Sequence, residues 1–152
     1  MSIDNFVGTW ELLSYEGRAP DGSVTHPLGE HPFGVGIYTA DGQMSAHLMR
    51  AERTPFGGGR RPGVDVIAPD LIVAAAAGYI GYCGRYSVDA DRRVVSHFVE
   101  SALIPDWVGT VMPREYAFSG DQLILRPPPP GNHHRPQATT PRRLIRARRP
   151  HR

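Results

Sequence analysis

Residues 8–18 read GTWELLSYEGR. Trp10, Leu12, Ser14 and Glu16 share one face of this stretch if it is extended, and Leu13 and Tyr15 share the other. Alternation with period two is the pattern of a β-strand with one face turned to a core. If Trp10 faces inward, Leu12, Ser14 and Glu16 follow it. The Gly-x-Trp start raises the question of whether this strand opens a barrel built to enclose something.

The same period recurs along the chain. APDG (19–22) is a turn by its Pro-Asp-Gly order, and SVTHPLGEHPFG (23–34), with two prolines and two glycines, reads as an irregular crossing with room for a short edge strand. VGIYTADGQMSAHLMR (35–50) reads as two strands about Asp41-Gly42, a strong hairpin signal that brings Tyr38 and Met44 together. Residues 51–68 form a Pro/Gly/Arg-rich loop, a lid or a mobile connection. APDLIVAAAAGYIGY (68–82) is the one convincing helix, expected over 69–81. Pro69 and Asp70 suit its first turn, and Leu71, Ala74, Ala75, Gly78 and Tyr79 form the stripe that would pack on the sheet. Two further strand pairs follow, 83–104 about a turn at 89–92 and 109–127 about Ser119-Gly120-Asp121. PPPPGNHHRPQ (127–137) cannot be regular sheet, because successive prolines donate no ladder bonds. RRLIRAR (142–148) would be the closing strand. About eight strands and one helix predict an all-β, antiparallel up-and-down barrel in one domain over 1–152, the barrel over 5–148 and a basic end at 149–152.

Composition narrows the function classes. The chain has 152 residues, enough for one domain with a real core, and all 17 of its basic residues are arginine. Without lysine there is no Schiff-base chemistry and no phosphate-binding lysine, so FGGGRRPG (56–63) is not a nucleotide loop. Neither a basic-then-apolar leader nor a membrane-length apolar run is visible, and Cys83 is the single cysteine; these predict a cytoplasmic protein with no membrane partner. Residues 135–152 hold 7 arginines and no acid, whereas 1–134 hold 10 arginines against all 15 acids. A solvated strand face with a frayed end accounts for this tail better than nucleic-acid contact does. The oligomeric state is left open.

The pieces GTWELLSYE, PLGEHPFG, IYTADGQMSAHLMR, AGYIGYCGRYSV, VSHFVESALIPDWVGT and REYAFSGDQLIL, in this order and spacing from Phe6 to Arg148, resemble the bacterial lipocalin-like domain proteins of the wider calycin superfamily. The resemblance implies an up-and-down barrel with an internal cavity for a small, mostly apolar molecule. It also implies a structural role for Trp10 as the plug of the barrel base, with an arginine from a late strand packed over it. Arg114 or an arginine of the last strand could supply that cation. The chain lacks the leader and disulfide usual in secreted lipocalins, which weighs against an extracellular carrier.

Strand parity selects the candidate site. The inward sets are Gly36 and Tyr38; Met44, Ala46 and Leu48; His97, Val99 and Ser101; Arg114, Tyr116 and Phe118; and Leu123 and Leu125. Tyr38, Met44, His97, Val99, Arg114 and Tyr116 are the candidate ligand-binding residues. Tyr, Met, Leu and Phe with a few polar heads describe a small-molecule cavity, and equally a filled core. His97 is the best catalytic candidate, as a general base near neutral pH; it could instead orient a ligand, or be a buried histidine satisfied by hydrogen bonds. Arg114 is either a structural lid over Trp10 or an anion hook, with Glu16 as a partner if that carboxylate faces inward. His47 is an outward-facing, weaker candidate, Trp107 a rim or corner plug, and Cys83 a small buried residue. His133-His134 lacks further ligands at zinc spacing, so no metal and no cofactor is expected. Two functions follow: binding of a small hydrophobic or aromatic metabolite, or a cofactor-independent cyclase or isomerase using the same cavity for proximity and orientation.

Overall fold

The computed structural model describes residues 3–128 and 142–150. Its strands are β1 (Gly8–Arg18), β2 (Val24–Thr25), β3 (Phe33–Tyr38), β4 (Gln43–Met49), β5 (Tyr79–Asp89), β6 (Val94–Ala102), β7 (Val111–Ser119), β8 (Gln122–Arg126) and β9 (Arg142–Arg148), with helix α1 (Pro69–Ala77) between β4 and β5. All pairings are antiparallel. The ring runs β1-β3-β4-β5-β6-β7-β8-β9 and returns to β1, so eight strands close a barrel and the two-residue β2 lies on the upper end of β1. Closure leaves no unpaired edge in the ring. β9 makes that closure, pairing with β8 on one side and β1 on the other.

The Asp41-Gly42 hairpin forms as expected, with Tyr38 opposite Met44. Gly42 takes φ +88°, and Thr39 Oγ1 accepts the Gln43 backbone N–H at 3.0 Å. Helix α1 is shorter than the sequence predicts. It stops at Ala77 because Gly78 caps it, donating its N–H to the Ala74 carbonyl, and β5 starts one residue later. None of its residues is buried. The run GYIGY, which reads as a helix tail, is the start of a strand in which Ile80, Tyr82, Gly84 and Tyr86 alternate inward.

Two β-bulges correct the assigned parities. In β1 the pairing with β9 slips between Leu12 and Ser14, so Tyr15 stands opposite Ile145 and packs on the core. Ser14 and Glu16 thereby leave the lumen face, and Glu16 takes the Arg18 guanidinium at 2.7 Å. In the β5–β6 pair, Cys83 faces Ser101 but Gly84 faces Val99, leaving Glu100 unopposed and Ser101 exposed. A bulge changes the face on which every later residue lies. Gly84 is required there, since a Cβ would sit 2.0 Å from the Phe98 carbonyl oxygen.

The barrel's two ends differ. At the base, short turns join β3–β4, β5–β6 and β7–β8. Ahead of β1, Phe6 inserts with no exposed surface, edge-on to Tyr116 at 4.8 Å, Phe118 at 5.2 Å and Tyr38 at 5.4 Å. Trp10 lies beside it and donates its indole N–H to the Phe6 carbonyl at 2.8 Å. The mouth carries the longer connections, 19–32, 50–78 and 103–110. In the largely exposed 51–68 loop Ile67 is buried. No described helix is long and apolar enough to cross a membrane.

Candidate functional site

The lumen holds a cavity of about 50 Å³. Its place follows from one cross-strand row: Trp10 on β1 faces Gly36 on β3, which faces Ala46 on β4, which faces Tyr82 on β5. Two minimal side chains between two large aromatics leave the space. A Cβ added at Gly36 would meet no atom within 4 Å. Leucines, Met44, Ile145 and Ala147 complete mostly apolar walls, and His97, Tyr38 and Tyr82 supply the polar groups.

His97 is 1% exposed, on β6 between the buried Val95 and Val99. Its Nε2 lies 2.9 Å from the Tyr38 hydroxyl and its Nδ1 lies 3.0 Å from the Tyr82 hydroxyl. Burial, reinforced by the positive charge of Arg114, pushes its pKa down to about 3. Burial raises both tyrosines, Tyr38 the more strongly. At neutral pH all three groups are therefore uncharged. A neutral imidazole has one N–H and one bare nitrogen. One tyrosine donates to the bare nitrogen; the other accepts from the N–H and keeps its own phenol proton for a third partner. The cluster thus holds one surplus donor at the wall of an apolar cavity.

Arg114 lies on the inward face of β7, between Met112 and Tyr116. Its guanidinium donates to the Pro113 carbonyl at 2.9 Å and approaches the Met112 sulfur at 3.7 Å. It is not the cation over Trp10. That place is taken by Arg149, one residue beyond β9, whose guanidinium is 4.8 Å from the indole ring and also donates to the Asn5 carbonyl. Nor does Glu16 partner Arg114, having turned to Arg18. Near the mouth, Arg143 lies 5.7 Å over the ring of Tyr15.

Tyr38, Met44 and His97 thus line the cavity, and Trp10 stands at its floor. Val99 and Tyr116 are buried in the same core but do not line it, and the Tyr116 hydroxyl is buried without a hydrogen-bond partner. Trp107 packs edge-on to Tyr82 at 5.8 Å, on the mouth side. His47 faces outward, between the Ser45 and Tyr79 hydroxyls. Cys83 is half-buried on that outer face. His133-His134 lies outside the described residues, and no group of potential metal ligands occurs among the described ones. Sequence reasoning missed Tyr82, Tyr15 and Arg143. The Tyr82-x-Gly84-x-Tyr86 alternation was a usable signal for the first; a bulge hides the second, and Arg143 follows only from the register of β9.

A model of the lipocalin-like domain matches residues 7–149. A search of the curated proteins finds no match.

Proposed function

The chain belongs to the family of lipocalin-like domains, and on that premise we propose that its barrel binds a small hydrophobic or aromatic molecule in the cavity over Gly36 and Ala46. The observation that carries this reading is the gap in the Trp10–Gly36–Ala46–Tyr82 row, apolar on nearly all sides and met by one surplus phenol proton. Such a site suits a molecule with an apolar body and one oxygen acceptor. About 50 Å³ is small beside the roughly 300 Å³ of a drug-sized pocket. Bulk is therefore limited, and extra room comes from rotating Met44, an unbranched and adaptable wall residue.

Titration calorimetry with phenol and indole, small apolar rings each carrying one polar group, tests this. Saturable, near-stoichiometric binding is expected with the wild type. Gly36→Leu should abolish it, because the new side chain, whose Cβ would meet no atom within 4 Å, grows into the cavity. Failure of the wild type to bind either probe, together with no small molecule retained in native mass spectra of protein from its own host, would sink the reading. A cofactor-free cyclase or isomerase is the second reading, favoured by the same phenol proton, which could polarise a carbonyl. His97, with a pKa near 3, is a weak base for that chemistry.

A further inference from the structure

We propose that the outer wall of the barrel carries a second site, a groove across β1, β9, β8 and β7 that binds a small phosphorylated molecule through Arg18, Arg126 and Arg146. It is separate from the lumen and does not depend on what the lumen holds. The groove encloses about 330 Å³ and is lined by these three arginines with Arg143, Glu115 and Leu144. Strand parity places it outside. Leu123, Leu125, Ile145 and Ala147 line the lumen cavity, so Arg126 on β8 and Leu144 and Arg146 on β9 point the other way. The bulge that brings Tyr15 onto the core turns Arg18 out beside Glu16. Leu144, only 5% exposed although it faces away from the lumen, forms the floor.

Charge distinguishes this part of the wall. Elsewhere on the outside, arginines pair with acids of neighbouring strands, Arg85 with Glu100 at 3.0 Å and Arg148 with Glu11 at 3.8 Å. In the groove Arg18 has Glu16 at 2.7 Å, and Arg143 lies over the Tyr15 ring. Among the described residues Arg126 and Arg146 have no carboxylate within 4.0 Å, although Glu115 stands opposite Arg126 in the ladder. With Glu16 and Glu115 both set against the four arginines, two positive charges remain, and the sequence of 129–141 contains no acid. Guanidinium groups gathered in one concavity without counter-ions repel one another, and an anion relieves that cost. Each presents paired N–H groups that match two phosphate oxygens in a charge-assisted contact. Adjacent strands lie about 4.8 Å apart, so arginines on β1, β9 and β8 can surround a diphosphate, whereas a single carboxylate would leave part of the surplus charge in place. The concave shape suits a small ligand; a nucleic acid calls for a longer basic stripe.

Calorimetric titration of the full-length protein with pyrophosphate, against acetate at matched ionic strength, tests the site. One pyrophosphate should bind per chain, about tenfold or more tightly than acetate, and its affinity should fall as sodium chloride is raised. Arg126→Gln and Arg146→Gln should each weaken binding by about tenfold, as loss of a charge-assisted contact implies, and Glu115→Gln should tighten it by removing a like charge. Both arginines are exposed, so their variants should melt like the wild type. Phenol should leave the pyrophosphate affinity unchanged, which keeps this site distinguishable from the lumen. Absence of pyrophosphate binding, or binding that survives both arginine substitutions, would overturn the proposal. Acetate binding as tightly as pyrophosphate would reduce the groove to a general cationic patch, and a short DNA duplex that binds and is not displaced by pyrophosphate would assign it to nucleic acid; either result overturns it as well.

Discussion

The base of this barrel and the lumen above it are built from the same residue types and treat most of their polar atoms in opposite ways. At the base, the indole N–H of Trp10 has the Phe6 carbonyl, the Tyr86 hydroxyl has the Thr39 carbonyl, and Arg149 has both the Trp10 ring and the Asn5 carbonyl. In the lumen above it, the cluster of Tyr38, His97 and Tyr82 keeps a proton to spare at the cavity wall. Satisfied polar groups around packed rings contribute stability; a surplus donor at a cavity costs stability unless something fills it. The base, where the buried Tyr116 hydroxyl is the exception left without a partner, therefore reads as structure, and the lumen above it as the place for a guest.

Removal of β9 is the harshest way to break the comparison. Deleting 135–152 opens the ring between β8 and β1 and also removes Arg149 from Trp10. Loss of cooperative unfolding, with aggregation in light scattering, is expected. A truncated chain that melts like the full protein would mean that the arginine-rich end is a basic arm and that the base stands without it.

Within the base, Phe6→Ala and Trp10→Ala should each cost about 3–5 kcal/mol in denaturant unfolding, as large-to-small changes in filled cores do. Gly36→Leu, at the cavity wall, should cost much less by the same measurement, since its Cβ would meet no atom within 4 Å. A Trp10→Ala loss below about 1 kcal/mol would place that side chain outside the core and erase the distinction.

The pH dependence of stability sharpens the contrast, because His97 belongs to the cluster in the lumen. The unfolded chain takes up its proton below about pH 6.5, and the folded chain does so only near pH 3. The unfolded state thus binds more protons in that window, and stability falls as pH falls, by about 1.4 kcal/mol per unit. About 2 kcal/mol should be gone by pH 5. His97→Gln should flatten the slope between pH 6.5 and 5, above the range where carboxylates titrate. An unchanged slope in that variant would mean that His97 is reached by solvent.

How much of this was legible in the sequence follows the physics of each signal. Period-two alternation, the Asp41-Gly42 turn and the inward placement of Trp10, Tyr38, Met44, Ala46 and His97 are local properties, and the strands formed around them. Helix α1 was overextended because alanine-rich helix propensity and the spacing of Gly78 and Tyr79 masked the Tyr82-Gly84-Tyr86 alternation beginning there. Ser14, Glu16 and Ser101 were placed inward because a bulge is a property of two paired strands and leaves little trace in either. The partner of Trp10 was narrowed to Arg114 or the last strand, and only the closing register shows Arg149, just beyond that strand, in the position. The cluster around His97 joins residues 38, 82 and 97 across three strands, and no spacing in the chain announces it.

The smallest expected effect lies inside that cluster, where the two tyrosines stand at different depths. Tyr38 packs among Phe6 and Tyr86, and the hydroxyl of Tyr86 is already donated to Thr39. Within this aromatic packing, the bare Nε2 of His97 is the acceptor its proton can reach. Nδ1 would then carry the imidazole hydrogen and donate to Tyr82, leaving the surplus phenol proton on the residue that packs against Trp107 near the mouth. Nitrogen-15 shifts of His97 should accordingly show the Nδ1–H tautomer. Tyr38→Phe should strand the Nε2 lone pair beside the rings of Phe6 and Tyr86, at about 1–3 kcal/mol. Tyr82→Phe strands an N–H beside a cavity large enough for a water molecule, and should cost about 1 kcal/mol less. The reverse order of the two costs, with an Nε2–H tautomer, would move the surplus proton to Tyr38 and put the polar end of the guest at the base rather than near the mouth.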